Sequence, residues 1–236
     1  MPFPAAAPMP SAEPIYATPA LEVDRIESLP FGEHSYVVRR PGHRECLVVD
    51  PGFEPEEIIA WLERHGLEPR AILLTHGHSD HIAGNAALKA RWPDAPLLIG
   101  HRDAAKLTDP IANLSAPFGL PLTSPPADRL LADGERLGLA GCELVVREIP
   151  GHSAGHVVYI LESESPPLVF GGDVLFREGI GRTDFPDGDF EALAAGIRRH
   201  LYTLPPEAIV FPGHGEPTTV GHEQRHNPFV TARSSD

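Results

Sequence analysis

The sequence predicts a single α/β domain in which two β-sheets pack together and helices cover their outer faces. Short strand-like segments occur in two runs, one in each half of the chain, and helical segments lie between and after them. The 236 residues suit one large domain or two small ones, and the 42% hydrophobic content is enough for a substantial core. No internal repeat is visible, so we interpret the chain as one domain.

The first half alternates strand and helix signals. A helix is predicted from Pro55, which suits a first helical turn, to Gly66, which suits the residue after the last turn. A second helix is predicted at residues 82–92, where Pro93 ends the helical pattern. The strands predicted around these helices span residues 21–27, 35–39, 45–49, 70–75 and 96–99.

The second half begins irregularly and then becomes rich in strands. Prolines recur between residues 110 and 126, so we expect residues 101–140 to form a loop-rich connection that covers a site. A helix is predicted at residues 189–200, with Asp189 as its N-cap. The predicted strands span residues 143–148, 157–161, 168–170 and 208–211.

The N-terminal segment and the two cysteines are the features of the sequence that bear on cellular location. Residues 1–19 form a predicted N-terminal extension rich in proline and alanine, and residues 20–236 form the predicted domain. The extension has no basic start and no sustained apolar run, so we expect neither a signal peptide nor a membrane span. Cys46 and Cys142 are far apart and have apolar neighbours, which indicates buried free thiols. We therefore expect a soluble cytoplasmic protein.

The charge balance limits the partners that the chain can bind. Nineteen Lys and Arg residues against 33 Asp and Glu residues give a formal net charge of −14. Nucleic acids and anionic membranes would be repelled by such a surface. We therefore expect a small-molecule partner, with neither nucleic acid nor membrane bound, and the sequence leaves the oligomeric state open.

Seven potential metal ligands follow the predicted strands. Imidazole and carboxylate groups are standard ligands for zinc-like ions, and folding needs alone do not explain such groups at four separate strand ends. Seven ligands exceed the four of a closed structural zinc site, which indicates two neighbouring metals or one metal with an open position. The candidates are His76, His78, Asp80 and His81 after the strand at residues 70–75, and His152, Asp173 and His214 after later strands.

These motifs resemble the metallo-β-lactamase fold superfamily of dinuclear hydrolases. The H-x-H-x-D-H segment and the three later ligands occur in the same order, and the match covers most of the chain. Segments 75–81, 150–153, 172–176 and 213–215 look like the glyoxalase II (hydroxyacylglutathione hydrolase) branch. The resemblance implies a four-layer αββα sandwich with the active site at the strand-end edge between its two sheets.

The resemblance also implies two divalent metal ions, of which Zn²⁺ is the first candidate and iron or manganese the alternatives. Asp80 would be a metal ligand rather than a general base, and Asp80 and Asp173 are the predicted catalytic carboxylates. Hydroxide between the metals would attack a thioester carbonyl, giving a carboxylic acid and a thiol. The implied ligands form two groups bridged by Asp173: His76, His78 and His152 for one ion, and Asp80, His81 and His214 for the other.

Two departures from the longer glyoxalase II enzymes concern glutathione. Only residues 215–236 follow His214, where those enzymes have a helical domain, and segment 179–186 lacks their glutathione-binding Lys and Tyr. The chain thus resembles short single-domain hydrolases, and we expect S-lactoylglutathione or a related small thioester as substrate. Arg182 is a candidate substrate-binding residue for an anionic group, and a structural ion pair with Asp184 is the alternative.

Other activities of the same fold stay open. Segments 181–185 and 226–228 are also similar to persulfide dioxygenases, which would hold one iron through His76, His152 and Asp173, but the full second ligand group favours two metals. Lactones and other esters are attacked by the same nucleophile. β-Lactams are disfavoured because no export signal is visible, and phosphodiesters are disfavoured by the charge. A scaffold without catalysis would be favoured by a lost ligand, and none is lost.

Two residues beside the ligands have competing interpretations. His156 is predicted to be a solvent-facing or structural histidine, and a role in supporting a ligand is the alternative. Asp50 ends a strand before Pro-Gly, which is typical of an Asx turn. Asp50 could also brace the histidine loop as a hydrogen-bond acceptor.

Overall fold

Two mixed β-sheets pack between layers of helices in a computed structural model that describes residues 12–231. The first sheet contains seven strands in chain order, the second contains six, and two short strands form a separate hairpin. The predicted four-layer αββα sandwich is confirmed. No helix within residues 12–231 is long and apolar enough to cross a membrane.

The first sheet is antiparallel at one end and parallel at the other. Its strands are β1 (Ala12–Ala17), β2 (Glu22–Ser28), β3 (Glu33–Arg39), β4 (Glu45–Val49), β5 (Glu68–Leu73), β6 (Leu97–Gly100) and β7 (Arg129–Leu131). Pairing is antiparallel from β1 to β4 and parallel from β4 to β7. The parallel strands therefore all end at one edge, where binding sites of α/β sheets form.

The second sheet is antiparallel except for one central pair. Its strands are β8 (Arg136–Leu139), β9 (Cys142–Glu148), β10 (Val157–Leu161), β11 (Leu168–Gly172), β14 (Ile209–Pro212) and β15 (Thr218–Thr219). The strand order is β15-β14-β11-β10-β9-β8, and β11 pairs in parallel with β14. The separate hairpin consists of β12 (Leu175–Phe176) and β13 (Gly179–Ile180).

Within residues 12–231, five α-helices cover the sheets or connect their strands. They are α1 (Pro55–His65), α2 (Ser79–Ile82), α3 (Asn85–Arg91), α4 (Phe190–Gly196) and α5 (Val220–His226). A wider turn at Ile197–Leu201 continues α4, and two 3₁₀ turns lie at Ala104–Thr108 and Ala116–Phe118. Gly66 ends α1 in the left-handed conformation, with φ 64°, as the sequence predicts.

Three apolar layers hold the sandwich together. Between the sheets, Phe170 stacks on Phe211 with ring centroids 5.4 Å apart, and Tyr36 packs against both rings. On the outer face of the first sheet, residues such as Leu62 of α1 and Leu88 of α3 are fully buried. The helices at the C-terminal end bury the opposite face of the second sheet. Each helix therefore contributes one apolar face to a layer of the core.

The domain boundary predicted at residue 20 falls inside the first sheet. Residues 12–17 of the predicted extension form β1, which pairs with β2, and residues 1–11 lie outside the described part of the chain. Pro14 is tolerated because β1 is an edge strand and its register shifts between Pro14 and Tyr16. The strand thus starts the domain before the predicted boundary.

The predicted helix at residues 82–92 begins later than expected, as α3 (Asn85–Arg91), and the short α2 (Ser79–Ile82) precedes it with a break that includes Gly84. The backbone of Gly84 lies against Pro51 and Gly52, and its N–H donates to the Pro51 carbonyl at 2.8 Å. A side chain at residue 84 would collide with that turn, so the close approach explains both the glycine and the break. The region 101–140 is mostly irregular, as predicted, but it also contains the short strands β7 and β8.

Asp189 caps α4, and the first prediction concerns this cap. Its Oδ1 accepts the backbone N–H of Ala192 at 3.0 Å. We expect Asp189→Ala to lower the free energy of unfolding by about 1 kcal/mol, since an N–H loses its acceptor. Asp189→Ser keeps a capping oxygen and serves as the matched control. Urea unfolding followed by circular dichroism measures both variants, and equal losses would contradict the cap.

Candidate metal centre

The predicted ligands lie at one edge of the sandwich, in the segments that follow β5, β9, β11 and β14. Because β11 and β14 are parallel neighbours, Asp173 and His214 leave the sheet at the same edge. Gly213 allows the backbone of this segment to pass close to His81 and Asp173. A Cβ at that position would lie 2.6 Å from Cε1 of His81 and would also collide with the Asp173 carboxylate.

The structure brings all seven predicted ligands together. The ligand atoms within each group lie within 4.8 Å of one another. Asp173 lies between the groups, with Oδ1 3.4 Å from His81 Nε2 and Oδ2 3.4 Å from His152 Nε2. The groups are His76, His78 and His152; His76, His81 and Asp173; and Asp80, His81 and His214. This arrangement matches the two implied ligand groups and the central position implied for Asp173.

Several nitrogen and oxygen atoms at this edge that could coordinate a metal are buried without a hydrogen-bond partner. They include Nε2 of His76, His78 and His81 and Oδ1 of Asp173. An unpaired polar atom in the interior is costly, so a cluster of them requires compensation. Nitrogen and oxygen donors that face one another at these distances suit divalent ions such as Zn²⁺ or Fe²⁺. The residues present therefore fit a metal centre.

Backbone carbonyls hold the Nδ1 atoms of two predicted ligands, His152 and His214. His152 Nδ1 lies 2.9 Å from the Arg182 carbonyl, and His214 Nδ1 lies 3.2 Å from the Phe31 carbonyl. Carbonyl acceptors fix the ring tautomer in which Nδ1 carries the proton and Nε2 is free. The backbone around the site thus orients imidazole lone pairs toward the centre of the cluster.

Asp50 braces the histidine loop, as one of its two interpretations predicts. Its Oδ1 accepts the Thr75 N–H at 2.7 Å, and its Oδ2 accepts the Thr75 hydroxyl at 2.6 Å. The same Oδ2 lies 3.0 Å from Nδ1 of His81. One buried carboxylate at the end of β4 therefore fixes both the start of the ligand loop and the orientation of its last histidine.

His156 is a buried structural residue. Its Nε2 accepts the backbone N–H of Asp173 at 3.0 Å, and its ring stacks on His76 with centroids 4.7 Å apart. Both contacts reach predicted ligands, so the supporting role named as the alternative is present. Burial lowers the pKa of His156 well below its usual value, which keeps Nε2 able to accept.

Asp103 was not among the candidates from the sequence, although it joins two ligand loops. Its Oδ2 accepts the Gly77 N–H at 2.9 Å, and its Oδ1 accepts the Gly155 N–H at 2.7 Å. Ser153 also donates to Asp103, and Lys106 reaches Ser153. No sequence signal marks Asp103, because it lies in the irregular connection and its partners are distant backbone groups.

Burial lowers the pKa of three predicted ligands, His76, His78 and His152. For each of them the loss of hydration of the charged ring is the largest cause. Neutral imidazole is the form that binds metal, because its lone pair is free. Burial thus prepares this ligand group for a cation.

Carboxylates reverse that effect for His81. Burial alone would lower its pKa, but Asp173 and Asp80 outweigh burial and raise the pKa well above its usual value. Burial would raise the pKa of the Asp80 and Asp173 carboxyls, but the neighbouring His81 contributes to lowering the pKa of each. The pKa of His214 is also raised, since Asp80 and Asp173 overcome its burial. These carboxylates attract positive charge at the point where the two ligand groups meet.

A cavity of about 410 Å³ opens onto the ligand cluster. Arg182 lies in its wall and forms the ion pair with Asp184 that the sequence allowed, through Nε and one terminal nitrogen, each at 2.7 Å. The guanidinium also lies over the Phe185 ring, 4.2 Å from its centroid. Arg182 is thus both paired and adjacent to the site, and substrate binding by it stays a prediction.

An αββα sandwich that gathers imidazoles and carboxylates at a strand-end edge, beside a cavity, defines a metal-binding domain. The family model of the metallo-β-lactamase superfamily matches residues 29–214, and the chain belongs to this superfamily. Among its relatives, probable metallo-hydrolase YqgX of Bacillus subtilis is 39% identical over 191 residues, covering 80% of this chain and 89% of that protein. Hydroxyacylglutathione hydrolase GloC of Haemophilus influenzae is 38% identical over 198 residues, covering 81% and 90%.

Solved structures agree with this assignment. BLEG-1 B3 metallo-β-lactamase superposes with a TM-score of 0.84 at 39% identity, covering 89% of this chain and all of that one. TTHA1623 in a di-iron-bound form superposes with a TM-score of 0.75 at 38% identity, covering 87% of this chain and 99% of that one. The recognition of the family from the ligand motifs is therefore confirmed.

The bracing by Asp50 leads to the second prediction. Asp50 has a φ of 47°, which Asn tolerates, so Asp50→Asn preserves the backbone. The amide cannot accept all three hydrogen bonds from Thr75 and His81. We expect the affinity for Zn²⁺ to fall by about 10- to 100-fold, measured by competition with a chromophoric chelator. Asp94→Asn, at an exposed position, is the control, and unchanged affinity in Asp50→Asn would contradict the bracing role.

Proposed function

We propose that this chain is a metal-dependent hydrolase that cleaves small thioesters at a centre of two divalent ions, with Zn²⁺ as the first candidate. The observation that carries this proposal is the pair of ligand groups on either side of Asp173, next to an open cavity. Two neighbouring groups of this kind suit a dinuclear hydrolytic site. The similarity to a protein described as di-iron-bound keeps iron as an alternative.

When bound, the ions would activate a water molecule and polarise the thioester carbonyl. The chain's own residues prepare the site for this. His76, His78 and His152 supply neutral nitrogens, and the carboxylates of Asp80 and Asp173 supply the negative charge that favours cations. Backbone carbonyls orient the rings of His152 and His214, and Asp50 orients His81, so little reorganisation of these rings is needed at the moment of reaction.

The thioester assignment is supported by relatives and by motif. The relative GloC is named a hydroxyacylglutathione hydrolase, and the chain covers 90% of that protein. S-lactoylglutathione is therefore the first substrate to assay. We further propose that Arg182 faces the bound substrate from the cavity wall, where its charge can attract an anionic group despite its pairing with Asp184.

Two other enzymatic activities should be assayed together with thioester hydrolysis. A mononuclear iron persulfide dioxygenase would need only His76, His152 and Asp173, whereas the cluster of Asp80, His81 and His214 favours a second metal. β-Lactam hydrolysis is the other candidate, favoured by the 39% identity to BLEG-1 B3 metallo-β-lactamase. A chromogenic cephalosporin and a glutathione persulfide serve as the respective probes.

The third prediction separates these activities by metal content. Protein purified without added metal should contain about two ions per chain by elemental analysis and should hydrolyse S-lactoylglutathione. His78→Ala and His214→Ala each remove one predicted ligand and should lower kcat/KM by more than about 100-fold. His43→Ala, at an exposed position outside the cluster, is the control for the loss of a histidine.

Other outcomes would contradict the thioester hydrolase. One iron per chain, with oxygen uptake on the persulfide and no hydrolysis, would favour the dioxygenase. In that case His214→Ala should retain its iron and its activity. Turnover of the cephalosporin without thioester hydrolysis would instead favour a β-lactamase.

A further inference from the structure

The cavity beside the ligand cluster has predominantly apolar walls. Phe31, Leu114 and Phe118 line one side, and Phe31 and Phe118 pack edge to face with centroids 6.0 Å apart. Other apolar side chains extend the lining to the ligands, where Phe185 contacts His78 with ring centroids 5.2 Å apart. The remaining apolar side chains of the lining are those of Phe176 and Ile180. A substrate group in this cavity therefore faces apolar walls on the sides away from the ligands.

Leu114 is held in this wall at a conformational cost. It has a φ of 67°, in the left-handed region that leucine disfavours. The neighbouring Asn113 fixes the turn, because its side-chain amide donates to the carbonyls of Lys106 and Leu122. The Asn113 carbonyl also accepts the Ser79 N–H, which ties the wall to the ligand loop. Strain at a residue that lines a binding cavity is typical of functional positions.

The cavity lining offers few cations to a substrate that carries several charged groups. Arg182 is the one Arg or Lys side chain among the lining residues, and Asp184 already pairs with it. Lys106 is outside the lining, is 7% exposed and pairs with Asp187 at 2.6 Å. Glutathione brings two carboxylates and an ammonium group, and burying a charge without a partner is costly. The walls therefore offer a peptide thiol no full set of counter-charges.

We propose that the site selects uncharged, apolar thioesters over thioesters of charged peptide thiols, with Leu114 as a specificity-determining residue. This inference rests on the proposed thioester hydrolysis. A volume of about 410 Å³ suits one small substrate of this kind. An aralkyl or alkyl thiol would contact Leu114 and Phe118, while the carbonyl faces the ligand cluster.

The test compares two thioesters that share one acyl group. S-lactoylglutathione and the S-lactoyl ester of benzyl mercaptan both have alkyl thiol leaving groups, and each rate is divided by the rate of alkaline hydrolysis. The wild-type protein, loaded with Zn²⁺, should have a kcat/KM roughly tenfold or more higher for the benzyl ester. An equal or higher value for the glutathione ester would overturn the selectivity and leave the hydrolase proposal intact. Hydrolysis of neither ester would overturn both.

A variant of the wall gives the fourth prediction. Asn accepts left-handed backbone more readily than Leu, so Leu114→Asn keeps the turn and places a polar group in the wall. The preference for the benzyl ester over the glutathione ester should fall about tenfold. Leu120→Asn, 59% exposed and outside the cavity lining, is the matched control and should keep both the activity and the preference.

Thermal unfolding of both variants separates folding from specificity. Leu114→Asn should keep the Tm of the wild type to within a few degrees, because the lost apolar contact is offset by relief of the backbone strain. An unchanged preference in a folded Leu114→Asn variant would overturn the role of Leu114. A fallen preference in Leu120→Asn of the same size would likewise overturn it, since the effect would not be specific to the cavity.

Discussion

The burial of imidazoles and carboxylates at one sheet edge is the constraint on which the site depends. Water would normally solvate these groups, yet His76 and His81 are fully buried, with their Nε2 atoms unpaired. Such an arrangement persists only where the surrounding structure holds it in place and a cation can complete it. The stacked aromatic residues between the sheets provide the rigid support, because they fix the strands whose ends carry the ligands.

A few buried carboxyl groups transmit that support to the ligands. Asp50 and Asp103 accept three backbone hydrogen bonds from two loops, at Thr75 and Gly77 in one loop and at Gly155 in the other, so distant side chains rather than local turns hold these segments. Glu33 differs from them. Both of its carboxyl oxygens are buried without hydrogen-bond partners, burial raises its pKa well above the usual value, and its Oε1 lies 3.9 Å from Nδ1 of His81.

How much the sequence predicts depends on whether a signal is local. Strand β4 and helix α1 have the predicted bounds, because Pro55 and Gly66 set the helix ends through their own φ preferences. The seven ligands could be chosen because strand ends and glycines mark them. By contrast, the sequence does not predict β1, β7 and β8, because Pro14 interrupts the pattern of β1 and because β7 and β8 contain only three and four residues. The role of Asp103 likewise depends on backbone groups 26 and 52 residues away.

Ligands shared by many hydrolases of one fold cannot by themselves decide which substrate reacts, so specificity must come from the loops around them. In this chain the loop that carries Leu114 is bonded to the ligand loop through the Asn113 carbonyl and the Ser79 N–H, at 2.9 Å. That bond lies between His78 and Asp80, two predicted ligands of different metal ions. This hydrogen bond joins the cavity wall directly to the loop that carries predicted ligands. The Asn113 carbonyl is a backbone group and is kept when the Leu114 side chain is replaced, so the chemistry of the wall can change while the ligand loop stays anchored.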